Sequence, residues 1–491
     1  MTLFQSVQLG LETALSWHNL LFCLLGVTLG TVVGVLPGIG SIAAISLLLP
    51  ITFHIEPTTA LIMLAGIWYG TAYGGSTASI LLNLPGSTSS AVTCLDGYPM
   101  AKNGRAGAAL LMTTVASFIG ASIGIVIMML FAPALAQVGL RLGSTEYFAL
   151  MTLGLIAATG ISDGSFLKGF AMVLVGIVLG VVGMDMYTAA NRYTFGLPHL
   201  YEGISLVALA MGFFGVSEVI ASVRFSQSGK IDRDSYRWRA MMPTPDERKR
   251  SWRPILRGSG IGSLFGALPG TGPTIASFIS YAVEKRVSKE PGRFGKGAIE
   301  GVVAPEAANN AADQTAFIPT LALGIPGSAT MALMLAALIM HGVTPGPQLM
   351  TEEPELFWGV VMSFWIGNIL LVVLNAPMVG LWARLLMIPY QMLYPAILVM
   401  ICIGVYSTTY AVFEIWLVII FGIAGYVLRL LRFPVAPILL GFVLGPLMEN
   451  HFRRAMLISR GDLMTFVERP VSAAVLGLTA LFLLWLAYSS Y

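Results

Sequence analysis

The sequence predicts an all-α polytopic membrane protein, with about a dozen transmembrane helices and half-helices in an inverted-topology repeat that contains two re-entrant hairpins. Three observations carry this expectation. Of 491 residues, 56% are hydrophobic and only 10% charged, whereas soluble domains carry about a quarter charged residues. Two Pro-Gly motifs each occur twice, in the same order. The loops beside the two copies carry opposite charge patterns.

Composition decides the solvent. The apolar excess is gathered in stretches such as 106–137, 200–223 and 471–491, long enough for the roughly 20 apolar residues a helix needs to cross a hydrocarbon core. These runs are continuous, without the in/out alternation of a transmembrane strand, which selects helices over a barrel. The net charge of +3 is concentrated in a few loops, so no nucleic-acid-binding surface is expected. Cys23, Cys94 and Cys402 lie far apart in or beside apolar segments and read as packing residues, not as a disulfide framework or thiolate metal site. Residues 1–13 hold no Lys or Arg. The basic n-region of a cleavable signal is therefore missing, and the first apolar segment is expected to be kept.

The first element is 15–53, read as a hairpin whose tip is Pro37-Gly38 in Gly34-Val-Leu-Pro-Gly-Ile-Gly-Ser41. A second Pro-Gly follows in Leu81-Leu-Asn-Leu-Pro-Gly-Ser87. Both motifs return at similar separation, as Gly266-Ala-Leu-Pro-Gly-Thr-Gly-Pro273 and Ala322-Leu-Gly-Ile-Pro-Gly-Ser328. The second hairpin is thus 254–284, with its tip at Pro269-Gly270 and an arm, 255–268, too short to cross the bilayer. Proline-kinked spanning helices are the alternative at both places.

Lys and Arg stay cytoplasmic, so loop charge reports orientation. Residues 1–13 hold no basic residue, whereas 224–257 hold ten basic and four acidic ones. Residues 54–58 hold none, and 285–296 hold five. After the second Pro-Gly the pattern reverses, with Lys102 and Arg105 set against Glu352, Glu353 and Glu355. The chain is accordingly divided into a first repeat over 1–223 with a periplasmic N-terminus, a basic cytoplasmic connector over 224–257, and a second, inverted repeat over 258–491. Helices near 106–136, 147–161, 168–184 and 200–223 alternate sides and return the chain to the connector, with Arg141 and Arg192 as exceptions. In the second repeat, 434–449 is short and followed by Arg453, Arg454, Arg460 and Arg469; spanning and re-entrant readings both stand.

A helix interrupted at membrane depth exposes unpaired N–H and C=O groups, which is tolerated only where they line a cavity or bind something. Paired interruptions in inverted halves therefore point to a substrate pocket. The residues expected there are Gly38, Gly40, Ser41, Tyr73, Ser76, Asn83, Gly86, Ser87 and Thr88 in the first half, and Gly270, Thr271, Gly272, Thr274, Gly327 and Ser328 in the second. Glycines let backbone approach a ligand closely; free amides and hydroxyls at helix starts suit a carboxylate. Close helix packing is the competing role for the glycines.

The segment 305–315 is polar, yet it belongs to a stretch that must cross. Glu306, Asn309, Asn310 and Asp313 recur at spacings that place them on one helix face, and ionisable groups at such depth are costly and usually functional. Carboxylate and amide oxygens suit Na+, and a carboxylate alone suits a proton relay, so Na+ or H+ is the expected coupling ion, with no other cofactor. An interfacial helix, or helix–helix hydrogen bonding, is the alternative. The corresponding first-half residues, Tyr69, Tyr73, Ser76 and Thr77, carry no charge.

Enzyme signals are poor. The sequence has no phosphate loop, no His-Glu-x-x-His and no Gly-x-Ser-x-Gly, and its five histidines are scattered. An intramembrane enzyme built on Glu306 and Asp313, and a passive channel, are the alternatives that the residues leave open.

Several motifs together resemble the large membrane subunit of the tripartite tricarboxylate transporters, the TctA family. They are Val35-Leu-Pro-Gly-Ile-Gly40, Tyr69-Gly-Thr-Ala-Tyr-Gly-Gly-Ser76, Asn83-Leu-Pro-Gly-Ser87, Asp96-Gly-Tyr-Pro99, Pro305-Glu-Ala-Ala-Asn-Asn310 and Gly324-Ile-Pro-Gly-Ser328, and they run through both halves. The resemblance implies a secondary transporter of the bacterial inner membrane, driven by an ion gradient. It further implies import of small carboxylates delivered by a periplasmic binding protein, and a small membrane partner of about four helices.

Overall fold

A computed structural model describes residues 2–36, 39–160, 165–222, 238–268, 272–386, 388 and 390–489. The expected tip residues Gly38, Gly270 and Thr271 lie outside them. The described chain is almost wholly helical. Its one sheet, among the described residues, is a hairpin of two-residue strands, β1 (Gly183–Met184) and β2 (Asn191–Arg192). Among the described residues, four helices are long and apolar enough to cross a membrane, Trp17–Val35, Thr93–Gly139, Pro354–Asn375 and Val412–Leu430, and seven shorter apolar helices accompany them. This is an all-α membrane protein.

The first half opens with α1 (Leu3–Ala14), whose start is fixed by a capping box between Thr2 and Gln5. Next come α2 (Trp17–Val35), α3 (Gly40–Thr52) and α4 (Pro57–Leu82). Pro57 starts α4 because proline's fixed φ suits the first helical turn, where its missing N–H costs nothing. The chain then runs through α5 (Thr93–Met100), α6 (Ala106–Gly139), α7 (Ser144–Gly160) and α8 (Phe166–Gly180) to α9 (Leu206–Ser222), which carries a π-helical turn over Met211–Val216. The second half supplies α10 (Pro245–Ala267), α11 (Gly272–Val287), α12 (Glu300–Thr315), α13 (Phe317–Leu323), α14 (Ala329–Met340) and α15 (Pro354–Asn375). It continues with α16 (Val379–Leu385), α17 (Tyr390–Thr409), α18 (Val412–Leu430), α19 (Ala436–Ile458) and α20 (Pro470–Ser489).

The duplicated motifs adopt matching backbone. Gly40 and Gly272, the last glycines of the two leading copies, begin α3 and α11 with φ of 67° and 63°. Asn83 and Gly324, at equivalent places in the following pair, end α4 and α13 with φ of 57° and 70°. The left-handed region favours glycine, and asparagine is among the few other residues that enter it at little cost. The packing is duplicated as well. Gly26, Gly30 and Gly34 of α2 lie on the backbone of Met63, Ile67 and Thr71 in α4, while Gly258, Gly262 and Gly266 of α10 lie on Ala304, Ala308 and Ala312 in α12. Small residues four apart let two helix backbones meet without side chains between them. The halves are joined in the same way, Gly120 and Gly124 of α6 resting on Ala307 and Ala311 of α12.

One sequence expectation is revised, and two of the alternatives left open are narrowed. The arm read as 255–268 is the end of the 23-residue helix α10, because the Thr244–Glu247 capping box starts the helix in the charged connector, nine residues before Pro254. All but the first two residues of the stretch 434–449 lie in α19, which continues through Pro446 to Ile458 as one helix of 23 residues. The segment 305–315 is not an interfacial helix: Glu306 and Asn309 are fully buried, and Asp313 is 2% exposed.

Candidate functional site

Two adjoining cavities of about 740 and 760 Å³ open between the helix breaks of the two halves. They share Ser41, Ser87, Thr88, Thr274 and Arg429 as lining and so form one two-lobed cleft. The local fold explains why these residues meet. The starts of α3 and α11 reach the cleft directly, and the loops after Asn83 and Gly324 deliver Ser87, Thr88 and the start of α14. Across the cleft the Thr88 and Thr274 hydroxyls lie 2.8 Å apart, and those of Ser41 and Thr330 3.5 Å apart. Three of these elements, α3, α11 and α14, begin at the cleft, and their N-terminal ends give it a positive partial charge.

Of the residues expected from the sequence, Gly40, Ser41, Gly86, Ser87, Thr88, Gly272, Thr274, Gly327 and Ser328 line the cleft. Ser328 is also the N-cap of α14, its Oγ accepting from the Met331 N–H at 3.2 Å. Ser87 is held by its own turn, its N–H donating to the Ser90 hydroxyl at 3.2 Å. Gly86 packs so tightly on Gly34 and Gly75 that no side chain fits there. Tyr73, Ser76 and Asn83 fall elsewhere. Tyr73 donates from its hydroxyl to Asn368 Oδ1 at 2.7 Å, Ser76 donates to Glu306 Oε2 at 2.7 Å, and Asn83 forms the left-handed end of α4.

The polar face of α12 divides into two chemically distinct parts. Glu306 is enclosed by donors, the hydroxyls of Ser76 and Thr93 and, at 3.4 Å, the Asn309 amide. Asn310 ties the same cluster to Ser117 at 2.9 Å and to Asn309 Oδ1 at 2.5 Å. Asp313, two turns further along, lines the cleft instead, and its buried Oδ1 has no hydrogen-bond partner. A buried carboxylate oxygen without a donor is costly, and it is of the kind that a cation or a proton satisfies.

Sequence reasoning missed the charged mouth. Arg429 and Arg432 line the cleft, Arg429 in both lobes, and Glu218 lines the second lobe. Their signal was present: each is an ionisable residue inside or at the end of an apolar run, where charge is unusual. The glycine ladders of α2 and α10 were equally readable, as Gly-x-x-x-Gly spacing.

The tripartite tricarboxylate transporter TctA family matches residues 20–440, a span that includes both Pro-Gly pairs, the polar helix and the arginine mouth. The chain belongs to this family. TctA-family proteins are subunits of tripartite tricarboxylate transporters, so the cleft is that of a membrane transport protein working with other subunits. The chain is 50% identical over 476 residues, 97% of its own length and 94% of the relative's, to an uncharacterised 52.8 kDa protein of the TAR-I ttuC' 3' region of Agrobacterium vitis. It is 57% identical over 217 residues, 44% of its own length and 90% of the relative's, to an uncharacterised protein of the TAR-II ttuC' 3' region of the same organism. No solved structure matches it.

Proposed function

We propose that this chain is the large membrane subunit of an ion-gradient-driven secondary transporter that imports small carboxylates, of tri- or dicarboxylate type, across the bacterial inner membrane. The observation that carries this reading is the convergence of three helix starts and the Ser87-Thr88 loop on one cleft that Asp313, a carboxylate with a buried and unpartnered Oδ1, also lines. Helix starts supply N–H donors for the substrate's carboxylates, and Asp313 takes the coupling cation, Na+ or H+, close enough for one to stabilise the other. Glu306, Asn309 and Asn310, read from sequence as part of the ion site, act as the support that holds α12 against α4, α5 and α6. The two halves are mounted in inverted orientation, and alternating access is their rocking about the cleft. A periplasmic binding protein delivers the substrate, and a small membrane subunit of about four helices completes the complex.

The test is reconstitution. Liposomes containing this chain and the small subunit, supplied with binding protein loaded with radiolabelled citrate or a dicarboxylate, should accumulate it only when a Na+ or proton gradient is imposed. Failure to accumulate any carboxylate with every component present refutes the substrate class. Linear, non-saturating flux identifies a channel instead.

A further inference from the structure

The cleft's charge is concentrated at one place. Its described lining holds two cations, Arg429 and Arg432, and two anions, Asp313 and Glu218. Arg429 is the only one of the four that lines both lobes. It gives Glu218 a hydrogen bond from Nη1 to Oε2 at 2.5 Å, yet its side chain remains 51% exposed while that of Glu218 is 21% exposed. Lys168 reaches the chain just after it, donating to the Leu431 carbonyl at 2.7 Å and lying 4.6 Å from the centre of the Phe433 ring, which also lines both lobes. A guanidinium offers five N–H donors in a fork that matches a carboxylate two-handed. The pairing with Glu218 therefore uses part of what Arg429 offers, and a half-exposed ion pair is weak enough to exchange partners.

We infer that Arg429 is the cleft's carboxylate anchor and that Glu218 is a resident counter-ion which an entering polycarboxylate displaces. This deepens the proposed function and rests on it. With the cleft empty, Glu218 neutralises Arg429 and keeps the mouth from holding inorganic anions. A ligand with two or three carboxylates, gripped at its other end by the helix starts, outcompetes the single carboxylate of Glu218. When the ligand loosens, Glu218 returns to Arg429 and speeds release. Arg429 is therefore both a source of affinity and, through Glu218, a limit on it. A merely structural arginine capping the carbonyl end of α18 has no such consequence for ligand affinity.

The experiment measures radiolabelled citrate binding to the full chain in phosphatidylcholine nanodiscs, with and without phosphatidylglycerol. Arg429→Gln should weaken binding by roughly ten- to a hundredfold, the range expected for a lost charge-assisted hydrogen bond, and Arg429→Lys should restore part of it. Glu218→Gln should tighten binding by about two- to fivefold, as removal of an exposed competing charge allows, and slow dissociation. Combined with Arg429→Gln, it should have no effect, a coupling that loss of folding cannot imitate. Wild-type binding that survives Arg429→Gln in monodisperse protein overturns the anchor while leaving the proposed function intact. Weaker binding in Glu218→Gln overturns the counter-ion role. An Arg429 effect seen only with phosphatidylglycerol assigns the arginine to a lipid headgroup and overturns the inference. If wild type binds neither citrate nor any other tri- or dicarboxylate, the proposed function fails and takes this inference with it.

Discussion

Glu306 and Asp313 lie seven positions apart on one buried face, yet their surroundings differ. Moving an ionised carboxylate out of water costs several kcal/mol unless hydrogen bonds replace the lost hydration. Glu306 has those bonds, from Ser76, Thr93 and Asn309, whereas Asp313 Oδ1 has none. Glu306→Gln turns an amide N–H₂ or a weaker acceptor toward groups arranged to donate. It should cost about 1–3 kcal/mol of stability, seen as a lower melting temperature in detergent. Asp313→Asn removes charge without volume, so its melting temperature should hold while uptake changes its dependence on Na+ or pH. Wild-type ion dependence in well-folded Asp313→Asn protein would move the coupling site elsewhere. A third carboxylate permits a pH test outside the spanning helices. The backbone N–H of Thr188, followed by that of Tyr187, holds the Asp185 carboxyl well below the usual carboxylate range, with Arg192 adding to the effect. A group whose folded-state pKa is depressed stabilises fully above its unfolded pKa, about 4, and loses that contribution as pH falls further. Hydrogen exchange over 183–192, corrected for intrinsic rates, should stay slow from pH 7 to about 4 and accelerate below. In Asp185→Asn it should be fast throughout, and equal protection in both proteins would dismiss the role.

At the scale of elements, much of the fold was legible because chain breaks are written in residue type. Gly40, Gly272, Asn83 and Gly324 occupy backbone that most side chains avoid, so the repeat showed itself as Pro, Gly and Asn at fixed offsets. Helix boundaries were less legible: the Thr244–Glu247 box carries α10 out of its apolar stretch, and α19 runs on past Glu449 through the arginines that follow it. Within the site, the hydroxyl and glycine lining was legible, but the partition of Glu306 from Asp313 was not, because it depends on Ser76 and Thr93, more than 200 residues away in sequence. Arg429 and Glu218 lie 211 positions apart and meet only through the packing of α9 on α18. Packing also separates glycines that a sequence treats alike. Gly260 and Gly262 sit on one helix, but a Cβ at Gly260 meets nothing, whereas one at Gly262 meets the Ala308 backbone. Gly260→Ala should therefore hold or raise the melting temperature, since alanine favours a helix by up to about 1 kcal/mol over glycine. Gly262→Ala should lower it and loosen α10 from α12. Equal responses would show that the glycine ladder does not hold these helices together.

For the molecule as a whole, hydrogen bonds tie distant helix ends into two opposite faces. Lys168, at the start of α8, donates to the Leu431 carbonyl just beyond α18. On the other side, Arg192 and Asp185 of the β1–β2 hairpin pair with Glu449 and Arg453 near the end of α19. With 23 residues, α19 is about 35 Å long, enough to carry the chain from one face to the other across a core of roughly 30 Å. If the basic connector and Lys168 are cytoplasmic, Arg453 and Arg454 must be periplasmic, against the usual placement of arginine. Their exception is intelligible, since Arg453 is held by Asp185 and by Glu449 at 2.7 Å. The start of α15 lies beside the end of α1, where Gly359 abuts Thr13, so a periplasmic N-terminus would put both on that face. The inverted arrangement therefore makes a prediction that loop charge alone would get wrong. In a background lacking Cys23, Cys94 and Cys402, an impermeant thiol reagent applied to sealed, right-side-out vesicles should label Glu353→Cys and Arg454→Cys. It should reach Lys289→Cys, in the basic loop after α11, only when the vesicles are opened. Labelling of Lys289→Cys from outside together with Glu353→Cys would remove the inverted repeat. Labelling of Arg454→Cys only in opened vesicles would instead place the end of α19 with the connector, and would require α19 to return to the face on which it began.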